Sequence, residues 1–162
     1  MVFKFLSRFA FSKRERENGD PLASALALLD RRRYEEATAA LDALIAAGGT
    51  RNAFLFNKRG VAKAELGRTD EARRDFEWAL SVQPKFAPAL VNLGNLALEA
   101  DLVVEAIERY EAAIAVDPEY PGAHFNASVA CKRLGRYADA VRALRTAQKL
   151  EGRAQRKPRT AP

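Results

Sequence analysis

The side chains best suited to covalent chemistry are a single histidine, His124, and a single cysteine, Cys131. They lie seven residues apart in one predicted helix. A cysteine nucleophile needs a base within hydrogen-bond reach and a third group that orients this base. Both residues instead fall in an apolar helical stretch, where they are expected to pack between helices. We therefore predict no catalytic residue and no enzymatic activity.

The sequence also lacks the residue patterns that bind phosphate, metals or cofactors. Gly48 and Gly49 are followed by Thr50, Arg51 and Asn52, and not by the lysine of a phosphate-binding loop. There is no cluster of histidine and cysteine that could hold zinc. Aspartate and glutamate recur at helix-surface spacing with lysine and arginine nearby, which predicts solvated helix faces. We expect no metal and no cofactor.

The positive charge of the chain is concentrated at its two ends. The formal net charge is +6. Residues 1–17 carry five basic and two acidic side chains, residues 151–162 carry four and one, and the part between them is balanced. The sequence pI of about 9.7 therefore reflects the ends and does not indicate a nucleic-acid-binding domain. We expect no nucleic-acid partner.

The elements that must position any functional residue repeat along the chain. Residues of the same kind recur 34 positions apart: Gly60 and Gly94, Ala72 and Ala106, Phe76 and Tyr110, Ala79 and Ala113, Pro84 and Pro118. Each copy contains two segments of helical periodicity separated by a turn signal. A period of this length is typical of stacked helix pairs, each of which buries its apolar side against the next.

This pattern resembles the tetratricopeptide repeat, most closely at residues 53–86 and 87–120. The resemblance implies an all-α fold, a right-handed α-solenoid of stacked antiparallel helix pairs with about four repeats. We expect eight helices, near residues 21–32, 35–46, 53–66, 70–81, 87–99, 103–115, 121–133 and 137–150. The predicted organisation is a basic aromatic segment at 1–17, a solenoid at 18–152 with units at 18–51, 53–86, 87–120 and 121–152, and a basic disordered tail at 153–162.

In tetratricopeptide-repeat proteins the first helix of each unit lines a concave groove. The resemblance places these partner-binding residues in the groove: Asn57, Lys58, Val61, Asn92, Asn95, Phe125 and Asn126. A row of asparagines can hydrogen-bond the backbone of an extended peptide, as in the asparagine ladder of longer members of the family. The alternative is that asparagine is simply tolerated on a solvated face. The basic residues with which chaperone-binding members clamp a terminal carboxylate do not stand at the matching positions, so this clamp is not expected.

Residues 1–17 do not belong to the repeat. On a helical wheel the apolar side chains share one arc and the basic ones lie opposite; the docking residues are Phe3, Phe5, Leu6, Phe9, Lys4 and Arg8. A helix of about ten residues is marginal alone in water and needs a surface. An anionic membrane, this protein's own first repeat or groove, and a partner's hydrophobic groove are the candidate surfaces. A cleaved organelle-targeting sequence is the fourth interpretation.

The sequence thus predicts a non-catalytic protein–protein interaction module, an adaptor or scaffold that binds a peptide or helix of another protein in its groove. Residues 1–17 could tether it to a membrane as a peripheral protein. The alternative is a homo-oligomeric or accessory subunit of a larger, membrane-associated complex, with the N-terminal segment filling a partner groove. No run is long and apolar enough to cross a bilayer, so the predicted location is the cytoplasm, including the inner face of the membrane.

Overall fold

The computed structural model describes residues 20–156. Within this range the chain forms eight α-helices and no strand: α1 Pro21–Asp30, α2 Tyr34–Ala46, α3 Ala53–Glu65, α4 Thr69–Val82, α5 Ala87–Glu99, α6 Val103–Val116, α7 Pro121–Arg133 and α8 Tyr137–Arg156. A short 3-10 turn, Gly49–Arg51, precedes α3. Consecutive helices pack as pairs, and each pair packs on the next. The predicted all-α solenoid is confirmed.

The helices begin where side chains or prolines satisfy their first turns. Asp20 accepts a hydrogen bond from the backbone nitrogen of Leu22 at 2.9 Å, and proline follows it at the first helical position. Asn52 caps α3 in the same way, and prolines stand in the first turns of α5 and α7. The observed bounds lie within two residues of those expected, except that α8 continues to Arg156 where the prediction ended at 150.

A glycine on the first helix of each central pair makes room for an aromatic ring on the second. A β-carbon added at Gly94 would lie 2.5 Å from Cε1 of Tyr110, and one at Gly60 would lie 2.5 Å from Cε1 of Phe76. Both rings are fully buried. The tight contact of Gly94 is with the Tyr110 ring, and Ala106 is buried in the same core. The small residue is required because a flat ring occupies the volume of its missing side chain.

The turn within each pair requires a left-handed backbone at one position. Gly67 and Gly135 adopt φ of 75° and 76° there, and Arg32 and Asp101 adopt 59° and 60° at the equivalent positions. A side chain in this region clashes with the neighbouring carbonyl oxygen, which costs about 1–2 kcal/mol for most residues and less for aspartate. The first pair therefore contains a strained arginine where two other units have glycine.

We expect Arg32→Gly to increase the free energy of unfolding by about 0.5–1 kcal/mol, because glycine relieves the clash and offsets part of that gain by its larger unfolded-state entropy. Urea denaturation of the full chain measures the change. Arg31→Gly is the matched control, since Arg31 has a negative φ of −85° and glycine there should be neutral or destabilising. Equal effects of the two substitutions would contradict the assignment of strain to Arg32.

Candidate binding groove

The odd-numbered helices form the inner layer of the stack. α3 contacts α5 and α5 contacts α7 across neighbouring units, whereas the even-numbered helices pack chiefly on the helices before and after them in sequence. Helices on the inside of a curved stack approach one another more closely, so α3, α5 and α7 line its concave side, and α1 holds the equivalent place in the first pair.

We call this concave surface the groove face. Each of its four helices contributes three residues spaced by three and four positions, which places them on one side of the helix. The resulting rows are Ala23, Lys58, Asn92 and Asn126; Leu26, Val61, Asn95 and Val129; and Asp30, Glu65, Glu99 and Arg133. We call them the first, middle and last row.

The four asparagines predicted to line the groove are all buried and bond to one another between units. Asn57, Asn92, Asn95 and Asn126 are 4%, 1%, 1% and 5% exposed. Nδ2 of Asn92 donates to Oδ1 of Asn57, and Nδ2 of Asn126 donates to Oδ1 of Asn95, each at 2.8 Å. The hydroxyl of Tyr110 donates to the same Oδ1 of Asn95 at 2.8 Å. The asparagines therefore hold α3, α5 and α7 in register, which neither sequence interpretation had anticipated.

Three polar atoms of these asparagine side chains are enclosed without a partner in residues 20–156. Oδ1 of Asn92, Nδ2 of Asn95 and Oδ1 of Asn126 are buried and have no hydrogen-bond partner within the described part of the chain. A buried amide atom without a partner costs about 1–3 kcal/mol. Two acceptors and one donor along adjacent helices match the alternating donors and acceptors of an extended peptide backbone.

The other predicted groove residues lie around the asparagines. Val61 and Phe125 are partly buried on α3 and α7. Lys58 is also partly buried, and its Nζ lies 5.2 Å from the centre of the Phe54 ring. Burial lowers the pKa of Lys58, while the charge of Asp30 acts in the opposite direction. The predicted residues thus lie near one another on α3, α5 and α7, with the asparagines buried between these helices. The predicted docking residues Phe3, Phe5, Leu6, Phe9, Lys4 and Arg8 lie outside the described residues.

The last row forms an acidic edge that we did not predict. Asp30, Glu65 and Glu99 are the final residues of α1, α3 and α5. Burial raises the pKa of Glu99, and the nearby charge of Glu65 raises it further. In the fourth unit Arg133 takes the equivalent place, and its guanidinium donates to the carbonyl oxygen of Leu98 at 2.9 Å. The recurrence of carboxylates 34 and 35 positions apart was the signal in the sequence that could have revealed this edge.

A buried ionic network fixes the orientation of α3 beneath the groove. The side chain of Asp75 is 6% exposed; its Oδ2 accepts from Nε of Arg59 at 2.9 Å, and Nζ of Lys63 lies 2.9 Å from the same oxygen. Arg59 also bonds Asp42 of α2 at 2.6 Å, and its hydrogen bond to Asp75 raises the pKa of the guanidinium. The prediction that acidic residues lie on solvated helix faces is therefore wrong for Asp75. Arg59 and Lys63 lie on the side of α3 that contacts Asp75 of α4. Both side chains are therefore partly buried as well.

His124 and Cys131 make contacts that stabilise the fold and do not contact each other in a catalytic arrangement. Nε2 of His124 lies 2.9 Å from the carbonyl oxygen of Pro118, where it ties α7 to the preceding loop. Cys131 is 6% exposed within the core formed by the third and fourth units, and burial raises the pKa of its thiol. A thiol with a raised pKa is a poor nucleophile at neutral pH, because the thiolate is the reactive form.

The stacked helix pairs and their inner groove define a helical-repeat protein of the protein-interaction class. Two family models described as "Tetratricopeptide repeat" match residues 57–108 and 97–155 and together span more than half of the chain. The chain belongs to the tetratricopeptide-repeat family, as its sequence pattern predicted. In residues 20–156 no helix combines the length and apolar character needed to cross a membrane.

Comparisons with individual proteins agree with this membership. The small glutamine-rich tetratricopeptide repeat-containing protein 2 of Mycosarcoma maydis is 33% identical over 63 residues, which are 39% of this chain and only 18% of that protein. A crystal structure of MamA superposes with a TM-score of 0.68 at 21% identity, over 83% of this chain and 78% of that one. A second MamA structure gives 0.66 over 88% and 78%, also at 21% identity. At this identity the likeness to MamA concerns the fold.

Proposed function

We propose that this protein is a non-catalytic adaptor that binds an extended segment of another protein along the groove face. The main support is the shared inner face of α3, α5 and α7, where the partly buried side chains of Lys58, Val61 and Phe125 surround the asparagine pairs. Three amide atoms beneath this face are enclosed and unpartnered within the described part of the chain, and a bound peptide backbone can hydrogen-bond to them where the side chains above them move aside. Val61 and Val129 of the middle row flank the amides and offer apolar contacts to the side chains of the bound segment.

Two features make the groove a preformed surface. The hydrogen bonds from Asn92 to Asn57 and from Asn126 to Asn95 fix the amides before any ligand arrives. The buried network around Asp75 fixes α3, which forms one side of the groove. Binding to a preorganised surface avoids part of the entropy cost of ordering side chains.

We expect Asn92→Ala with Asn126→Ala to weaken binding of a groove peptide by roughly tenfold to a hundredfold, since two hydrogen bonds of about 0.5–1.5 kcal/mol each are lost. The probe is a peptide selected on the full-length protein from a random displayed library, and fluorescence anisotropy measures its affinity. Circular dichroism must show unchanged helicity. The control replaces Gln83 and Gln148, two exposed amides outside the groove, with alanine. Undiminished affinity in the asparagine variant would direct attention to the outer helices.

Two finer parts of the function stay predictions. Attachment of residues 1–17 to an anionic membrane concerns a segment outside the described residues, and reversible binding to anionic vesicles at low salt would support it. The alternative role, a homo-oligomeric or accessory subunit of a larger complex, would appear as a concentration-dependent change in sedimentation. Both are compatible with an adaptor that holds its partner in the groove.

A further inference from the structure

The carboxylates of the acidic edge lie at the C-terminal ends of helices, where a negative charge is electrostatically unfavourable. The C-terminal end of a helix carries a partial negative charge, so carboxylates are disfavoured there and cations are favoured. Asp30, Glu65 and Glu99 nevertheless end α1, α3 and α5, and none of them has an ion-pair partner within 4 Å between residues 20 and 156. Glu65 is hydrogen-bonded to the Tyr34 side chain, and the charge of Lys58 acts on Asp30. Three stacked carboxylates at such positions raise the free energy of the empty groove and would be stabilised by a bound cation.

The same helix face carries the unpartnered amides. Asn92, Asn95 and Glu99 are spaced three and four residues apart on α5 and so share one side of this helix; the two asparagines are buried there, and Glu99 is exposed at the helix end. The surface thus combines a floor of buried asparagines with an exposed acidic border. The groove face also contains two cations. Lys58 is influenced by the charge of Asp30, and Arg133 donates a hydrogen bond to the carbonyl oxygen of Leu98 near the end of α5. A segment with basic and apolar side chains fits the first three units best.

The chain itself contains a segment of this chemistry. Residues 1–17 carry five basic and two acidic side chains, and their apolar residues include Phe3, Phe5 and Phe9. They precede Asp20, which caps the N-terminal end of α1, the helix that ends at Asp30 of the acidic edge. An extended chain spans about 3.3 Å per residue, so 19 residues reach roughly 60 Å. A groove helix of 13 residues is only about 20 Å long. A tethered segment of this length has an effective concentration in the millimolar range.

We propose that residues 1–17 bind in the groove of their own chain, with basic side chains such as Lys4 and Arg8 against Asp30, Glu65 and Glu99, and that a partner must displace them. The segment is a built-in competitor that sets the apparent affinity of the adaptor. This inference rests on the proposed groove function, because it assigns an occupant and a form of regulation to the same surface.

A synthetic peptide of residues 1–17 labelled with fluorescein is the probe, and its binding to full-length protein is measured by fluorescence anisotropy. In the unmodified chain the tethered segment competes, so binding should be weak. In Lys4→Glu with Arg8→Glu the tethered segment is repelled, and the probe should bind at least tenfold more tightly. Adding Glu65→Lys with Glu99→Lys should abolish that gain. Sedimentation should show a monomer in each case.

Matched charge changes elsewhere serve as controls. Lys157→Glu with Arg159→Glu changes the net charge of the other basic end by the same amount as Lys4→Glu with Arg8→Glu. Glu77→Lys with Glu108→Lys replaces two exposed carboxylates of the outer helices α4 and α6. Neither pair should change binding of the probe by more than about twofold. Equal affinity of the probe for the unmodified chain and for Lys4→Glu with Arg8→Glu overturns the proposal, as does absence of binding to both.

A dimer that is lost on Lys4→Glu with Arg8→Glu would identify the groove of a second copy as the binding site and would also overturn the proposal. The proposed function is judged separately, because binding of the library-selected peptide depends on Asn92 and Asn126. That peptide can bind even if residues 1–17 do not occupy the groove. Conversely, loss of binding by both peptides in the asparagine variant would support a shared surface.

Discussion

Replacing Asp75 with alanine is expected to lower the free energy of unfolding by about 3–5 kcal/mol, the usual cost of removing one partner from a buried ion pair. The substitution leaves the charges of Arg59 and Lys63 without their shared carboxylate, and the side chains of both are less than one-fifth exposed. Two cations held close together in a medium of low dielectric also repel each other. Urea denaturation followed by circular dichroism measures the loss.

The controls for this prediction lie on the same helix. Asp70→Ala and Glu77→Ala remove exposed carboxylates of α4 and should change stability by no more than about 0.5 kcal/mol. Asp75→Asn keeps the shape but removes the charge, and should be destabilising as well. If Asp75→Ala proves as mild as the two controls, the network is solvated and does not fix α3.

Replacing Ala106 with phenylalanine is expected to destabilise the protein by about 1–3 kcal/mol or more, because overpacking a filled core forces backbone shifts and unfavourable rotamers. Ala106 is 0% exposed and packs between α5 and α6 in the same core as Tyr110, whose ring fills the space above Gly94. The Tyr110 hydroxyl is bonded to Asn95, so the ring cannot move aside without breaking a groove contact.

Thermal denaturation tests this second prediction against Val104→Phe, which adds similar volume at a position of the same helix that is 58% exposed. The control should leave the melting temperature almost unchanged. Because the Asn95 contact links core and groove, Ala106→Phe should also weaken binding of the library-selected peptide. A melting temperature within about one degree of the unmodified protein would refute close packing at this unit.

The fold followed from the sequence because the residues that determine it repeat. Gly60 and Gly94 on the first helices, Phe76 and Tyr110 on the second, and the prolines between units each mark a local requirement that no other residue type meets as well. Helix starts were equally local, since a cap such as Asp20 and its following proline act on one turn. The contact of each glycine with an aromatic ring could not be predicted, because spacing along the chain does not reveal which side chain crosses a helix pair.

The groove could be predicted only in part. The family pattern placed the asparagines on the first helices, but the bonds from Asn92 to Asn57 and from Asn126 to Asn95 join residues 35 and 31 positions apart. These separations differ from the repeat length, so the period does not predict them. Asp75 was missed for a related reason: a charged residue on a helix is usually solvated, and only the position of Arg59 and Lys63 opposite it shows otherwise.

Cys131 provides a way to follow local fraying of the last helix pair without altering the chain. It is the only thiol in the sequence and lies beneath α8 in a core shared with the preceding unit. Alkylation by a neutral reagent therefore requires a transient opening, and its rate relative to that of a free thiol gives the opening equilibrium at one known position. Comparison with global unfolding would show whether the fourth unit detaches independently or opens together with its neighbours.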